Sequence, residues 1–277
     1  MLVISLSSVP PRFDKIGPTL ESLLAQAAQV DHILLYIPES YGRFPDWDGA
    51  LPDVPDGVEI RRVACDLGPA TKALGAIAEF QGQDADILFC DDDRYYAADW
   101  AQRFVDLKTQ HPGHCLCTLG MQAYLEAGGN PERALQPRAM RRWRVTDIGF
   151  QLRYLWQDIR ARNRRHQVPQ PARRVFRRSG YVDIFEGCGG VLIRPEWFDD
   201  QASDIPRLAW GVDDVWLSGM IARKGIPIWL QGGILDPRDT EAEPHAPLAR
   251  TPLDGADRKT QNRAAIAHMR ETYGIWT

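Results

Sequence analysis

A chain of 277 residues lies near the upper limit for one hydrophobic core, so a single domain is expected. Its 44 % apolar and 25 % charged residues exclude a disordered or collagen-like chain, and no apolar run approaches the ~18 residues needed to cross a bilayer. The net charge of −4 conceals an asymmetry: Arg138 to Arg178 holds thirteen arginines, no lysine and two acids, a local +11 that leaves −15 on the remainder.

In chain order, "LVISL" (residues 2–6) is a short apolar strand, followed by "SSVPPRF" and a helix opened by Gly17 and Pro18. "HILLYIP" and "GVEIRRV" are the second and third strands. Gly68 and Pro69 open a helix through "ATKALGAIAEF", and "ADILFC" is a fourth, uninterrupted apolar strand. It runs straight into Asp91, Asp92 and Asp93, before a helix at "AADWAQRFVDL" and a fifth strand at "HCLCTLG". The pattern breaks down from Met121 to Ser179. It resumes with two strand-like runs in "YVDIFEGCGGVLIRPEWF", a helix at "DDVWLSGMIARKG", a strand at "IPIWLQ", a Pro- and charge-rich tail from Asp236 to Gly255, and a closing helix. The start, "MLVISLSSVPPRF", lacks a basic n-region and a long h-region, so no signal peptide is expected. Five cysteines without a C-x-x-C pair read as reduced thiols of a cytoplasmic protein.

Strands alternating with helices, the strands apolar throughout, predict an α/β fold whose mostly parallel sheet is covered on both faces. Ligands of such sheets bind beyond the carboxyl ends of the strands, which is where Asp91, Asp92 and Asp93 fall. Three adjacent like charges need a counter-charge. Carboxylates suit hard divalent cations, and Mg²⁺ or Mn²⁺ often takes only one or two of them together with phosphate oxygens. One capping acid after a strand would be ordinary; three in a row are not.

The strand ending in Asp91-Asp92-Asp93 resembles the D-x-D motif of GT-A glycosyltransferases, close to the family 2 type. That resemblance implies a GT-A fold over 1–277, with a nucleotide-sugar half at 1–120, an Arg-rich acceptor insertion at 121–180 and a catalytic half at 181–277. It implies Asp93 as direct ligand of Mn²⁺ or Mg²⁺, with Asp91 and Asp92 in support. "WGVDDVWLS" resembles the x-E-D motif of inverting members, which makes Asp214 the general base and Asp213 its neighbour. A carboxylate there can deprotonate an acceptor hydroxyl, and the helix dipole is expected to keep Asp214 ionised. N-capping is the plainer use of the same acids. Trp210 is a candidate to stack on an acceptor sugar, or a core aromatic.

Other stretches fit the same picture. In "SSVPPRF", Ser7 would bond a base or ribose, Pro10 pack on the base and Arg12 reach phosphate. In "DLGPATK", Asp66 would accept from the nucleoside and Lys72 pair with the diphosphate near free helix N–H groups. Gly189 and Gly190, in "EGCGGVLIR", permit close approach by a sugar, or serve a turn. His245 is a candidate third metal ligand. The arginine segment, Arg138–Arg178, is expected to meet an anionic glycan or glycolipid acceptor, with peripheral contact at the inner face of the membrane.

The expected activity is thus inverting transfer of a sugar, with a UDP-sugar favoured, to a hydroxyl of a glycan or glycolipid. The alternatives are a nucleotidyltransferase acting on sugar phosphates, which would normally carry a Gly-rich basic loop after the first strand, and a non-catalytic anionic-ligand or nucleic-acid-binding protein. The last leaves both acid clusters unexplained, and no nucleic acid is expected. A processive synthase would need membrane helices and a Gln-x-x-Arg-Trp motif, where "AMRRWR" has Ala139 in place of glutamine.

Overall fold

Uninterrupted runs of Val, Ile and Leu make strands buried on both faces, and the central sheet consists of such strands. The computed structural model describes residues 1–161, 171–247 and 255–277; the parts of the Arg-rich stretch at 162–170 and of the tail at 248–254 lie outside the described residues. The sheet strands are β1 (Leu2–Ser7), β2 (His32–Pro38), β3 (Val58–Val63), β4 (Asp86–Phe89), β5 (Cys115–Cys117), β6 (Gly180–Val182), β7 (Val191–Ile193) and β8 (Ile228–Leu230). They form one eight-stranded sheet in the order β6-β8-β5-β7-β4-β1-β2-β3.

The helices are α1 (Gly17–Leu24), α2 (Thr71–Glu79), α3 (Trp100–Gln110), α4 (Ala123–Ala127), α5 (Ile148–Ala161), α6 (Asp213–Ala222) and α7 (Arg258–Tyr273). Two apolar cores flank the sheet. One gathers α2, α6 and α7 around Phe89, Trp216 and Met269; the other gathers α1 and α3 around Ile4, Leu20 and Phe104. The α/β architecture is therefore as expected, with one refinement. β7 runs antiparallel to both β4 and β5, and β6 is antiparallel to β8, so the sheet is parallel over β3-β2-β1-β4 and mixed beyond.

Register places the site. Ser5 is paired with Phe89, so the loop after β1 and the acids after β4 leave the sheet side by side. Because β7 returns against β4, with Val191 opposite Phe89, the residues just before β7 arrive at the same edge. All five cysteines are free, three of them buried. Among the described residues no helix is long and apolar enough to cross a membrane. Among the described residues, the one substantial element absent from the sequence reading is α5, in the Arg-rich stretch.

Candidate active site

The carboxyl ends of β1, β3 and β4, the turn before β7 and the start of α6 border a cleft of about 420 Å³, a size that admits a small-molecule ligand. Ser7, Arg12, Asp66, Lys72, Asp91, Asp92, Asp93, Trp210, Asp213 and Asp214 all line it. Residues far apart in sequence and singled out for separate reasons thus share one cavity.

The acid triplet has counter-charges, and they are side chains. Lys72 is buried and bridges Asp91 (Nζ to Oδ1, 2.7 Å) and Asp213 (2.9 Å to Oδ2). Arg12 reaches Asp92 at 2.5 Å and Asp93 at 3.1 Å, and its Nε donates to the His245 carbonyl at 2.8 Å. The Ser8 hydroxyl also donates to Asp92. Arg94 contacts Asp93 at 3.3 Å and pairs with Asp239. The cleft lining thus carries eight carboxyls (Asp66, Asp91, Asp92, Asp93, Glu186, Asp213, Asp214 and Glu243) against five cations (Arg12, Arg43, Lys72, Arg94 and Arg258).

That surplus shows in the protonation of the group. Burial pushes the Asp93 carboxyl up, and Asp91 and Asp92 add to the rise, to about 7. Burial and the adjacent Asp213 push Asp214 up to about 8. Burial alone would raise Asp91 as well, but Lys72 beside it holds it below the ordinary value. For Lys72, burial opposes the charge and loses to Asp213 and Asp91, so the ammonium is strongly favoured. These shifts correct one expectation. The N-terminus of α6 does not keep Asp214 ionised near neutrality, because desolvation and a like charge outweigh the helix dipole.

Two glycines bear on this geometry. Gly187 donates its N–H to Asp214 Oδ1 at 3.0 Å, and a Cβ at Gly187 would stand 3.0 Å from Lys72 Nζ. Gly68 has φ +59°, and a Cβ there would meet the Trp210 ring at 2.6 Å, so only glycine suits both the backbone and the indole. Trp210 therefore closes the cleft against the turn that opens α2. Asp66 is committed to the backbone, accepting from Gly42 N at 2.8 Å and Gly68 N at 2.9 Å.

Lys72 and Arg12, expected to face phosphate, both line the cleft and are paired there with its acids. Other expectations need correction. Pro10 is not among the lining residues. Gly189 and Gly190 lie behind the wall: the Gly189 carbonyl accepts from Thr118 Oγ1 (2.8 Å) and Trp100 Nε1 (3.0 Å), while Gly190 backs onto Trp100. Their neighbours Glu186 and Cys188 line the cleft in their place. His245 contributes its backbone carbonyl to Arg12, and its ring does not line the cavity. Missed in the sequence were Arg94, Arg43, Tyr41, Glu186, Arg258 and Asn262. Only Arg94 had a signal, its position directly after the acids.

For a cation, the donor set is oxygen only. Among the described residues no group of three or more His, Cys, Asp or Glu side chains could hold an ion unaided. The donors on offer are Asp91, whose side chain is 30 % exposed, and Asp93, whose buried Oδ1 accepts no hydrogen bond and has Arg94 Nε at 3.3 Å. One or two carboxylates, with water and phosphate oxygens completing the shell, is a regular Mg²⁺ arrangement. The residues fit an ion shared with a bound phosphate and do not fit one enclosed by protein.

No family model matches the chain and no curated protein matches it in sequence. Among solved structures, it is similar to a mycobacterial protein (TM-score 0.46, 14 % identity, 99 % of this chain and 75 % of that one). It is also similar to Staphylococcus aureus TarS 1-349 (TM-score 0.44, 12 % identity, 98 % of this chain and 72 % of that one), a protein also solved in complex with UDP. A third is the 2-C-methyl-D-erythritol 4-phosphate cytidylyltransferase of Francisella tularensis (TM-score 0.39, 14 % identity, 84 % of this chain and 89 % of that one). Likenesses this distant carry no conclusion about chemistry, which rests on the side chains of the cleft.

Proposed function

We propose that this protein is an inverting, metal-dependent glycosyltransferase that moves a sugar from a nucleotide diphosphate sugar, a UDP-sugar favoured, to a hydroxyl of a glycan or glycolipid. One observation carries the reading: two acid clusters, Asp91–Asp93 and Asp213–Asp214, face a single cleft and are joined through Lys72, with more carboxyls than cations. A diphosphate does not enter a surplus of carboxylates alone; it enters with a cation.

Asp91 and Asp93 would hold the Mn²⁺ or Mg²⁺, which when bound supplies Lewis-acid stabilisation to the departing nucleoside diphosphate. Ser7 offers a hydroxyl to the nucleoside. Asp66 acts through the turn it braces, presenting the start of α2. Lys72 sets the separation between the metal-binding acids and α6 as a positioning residue. Asp214, its Oδ1 oriented by Gly187 N–H, accepts the proton of the attacking hydroxyl once it has lost its own. Trp210 offers an apolar wall to the acceptor.

The test is thermal stability against a panel of nucleoside diphosphates and nucleotide sugars, with and without Mn²⁺. A ligand at ~100 times its dissociation constant adds about 2.7 kcal/mol, a shift of several degrees. The expected result is a shift for one nucleotide that needs Mn²⁺ and is lost in Asp91→Ala/Asp93→Ala; no shift with any nucleotide would sink the proposal. Nucleotidyl transfer would instead release pyrophosphate from a nucleoside triphosphate, so the identity of the released product separates the two reactions.

A further inference from the structure

Helix α5 presents an uncovered apolar stripe. Ile148, Leu152, Leu155, Trp156 and Ile159 are 55–72 % exposed. At 100° per residue they fall in an arc of about 100°, and the buried Phe150 lies about 180° from its centre. The helix thus grips the body through Phe150 and turns its apolar stripe away from it. Trp143 and Val145, just before the helix, are 76 % and 75 % exposed. Arg153 and Arg160 border one edge of the stripe, the Arg160 guanidinium 3.6 Å from the centroid of the Trp156 ring.

We infer that α5 is a docking element for an anionic lipid surface, lying in the plane of the headgroups with its stripe among the acyl chains. The charge around it selects that occupant. A single-faced helix with tryptophan and leucine on the apolar side and arginine at its border is the pattern that seats in a bilayer interface. The segment that carries it has a net +11 in a chain whose remainder is −15, so an anionic surface attracts this face and repels the rest. A second copy is a poorer occupant, because it would set two such arginine-rich segments face to face. The neighbouring 162–170 stretch, "RNRRHQVPQ", supplies one valine against five apolar side chains. The inference concerns a surface outside the cleft and stands or falls apart from the proposed reaction.

The experiment is flotation of the full chain, without nucleotide or acceptor, with vesicles of phosphatidylcholine alone or containing about one-third phosphatidylserine. Leu152→Asp/Ile159→Asp is the principal variant, at solvent-exposed positions, and Arg153→Glu/Arg160→Glu the second. The wild type is expected to partition at least tenfold more strongly onto the anionic vesicles, with binding falling at about 0.5 M salt. Either variant is expected to lose at least tenfold while keeping the wild-type melting temperature. No partitioning, equal partitioning onto both vesicles, or undiminished binding by the Asp variant overturns the inference. So does a wild-type dimer that the Asp variant converts to monomer without any vesicle binding.

Discussion

Lys72→Met tests the central electrostatic claim. The methionine keeps the volume of the buried side chain and removes the single cation between Asp91 and Asp213. Breaking a buried ion pair by deleting one partner costs about 3–5 kcal/mol, because the remaining charge stays desolvated. The Asp213 side chain is 4 % exposed and bears that cost in full, whereas Asp91 is 30 % exposed and is partly screened by water. The lower end of the range therefore applies, about 3 kcal/mol. For a chain of this size each kcal/mol moves the melting temperature by about 2 °C, so a fall of about 6 °C is expected. The assay is thermal unfolding in EDTA, which keeps adventitious cations from standing in for the lysine. The triple variant Lys72→Met/Asp91→Asn/Asp213→Asn removes the charges together and should recover most of the loss, since a neutral replacement of a whole buried pair is often tolerated. A Lys72→Met protein that melts within a degree of wild type would refute the reasoning. So would a triple variant less stable than the single one.

Asp214 carries a folded-state carboxyl raised to about 8, so the folded protein binds a proton that the unfolded chain releases near the ordinary carboxylate value. Its contribution to stability therefore declines as pH rises from about 4 to about 8, and Asp214→Asn should flatten that decline in a plot of melting temperature against pH. If the proposed base role holds, Asp214→Asn also lowers turnover about 10²- to 10⁴-fold with nucleotide affinity unchanged, measured by titration calorimetry. Gly68→Ala forces a side chain into φ +59° and against Trp210, and should lower stability by about 1–3 kcal/mol in chemical denaturation. Arg12→Met frees the buried Asp92 and Asp93; in EDTA its melting temperature should fall by several degrees, and Mn²⁺ should recover more of that loss than it adds to wild type.

Much of this protein was legible in its sequence, and the reasons are local. Continuous apolar runs such as "ILLYI" and "DILF" specify strands buried on both faces. Gly-Pro pairs mark helix starts, and the acids of "VDDVW" open α6 where they were expected. Helix α5 was missed because its apolar residues are spaced for a face that, among the described residues, no neighbouring element covers, amid arginines that read as a solvated or ligand-binding stretch. The ion pairs of Arg12 and Lys72 with the acids were likewise not legible in the sequence. The carboxylates that each one meets are brought in by the fold from distant parts of the chain.

Composition and spacing alone thus determined the α/β class, the run of acids at a strand end and the acidic start of α6. These depend on periodicity and on neighbours within a turn or a strand. Tertiary structure decided which charges meet. The antiparallel return of β7 delivers Gly187 to Asp214, and the packing of α6 against the opening turn of α2 puts Lys72 between Asp91 and Asp213. Coulombic interaction and desolvation depend on distance through space and on exclusion of water. Neither is set by separation along the chain, and so the protonation of Asp93 and Asp214 was decided only by the folded molecule.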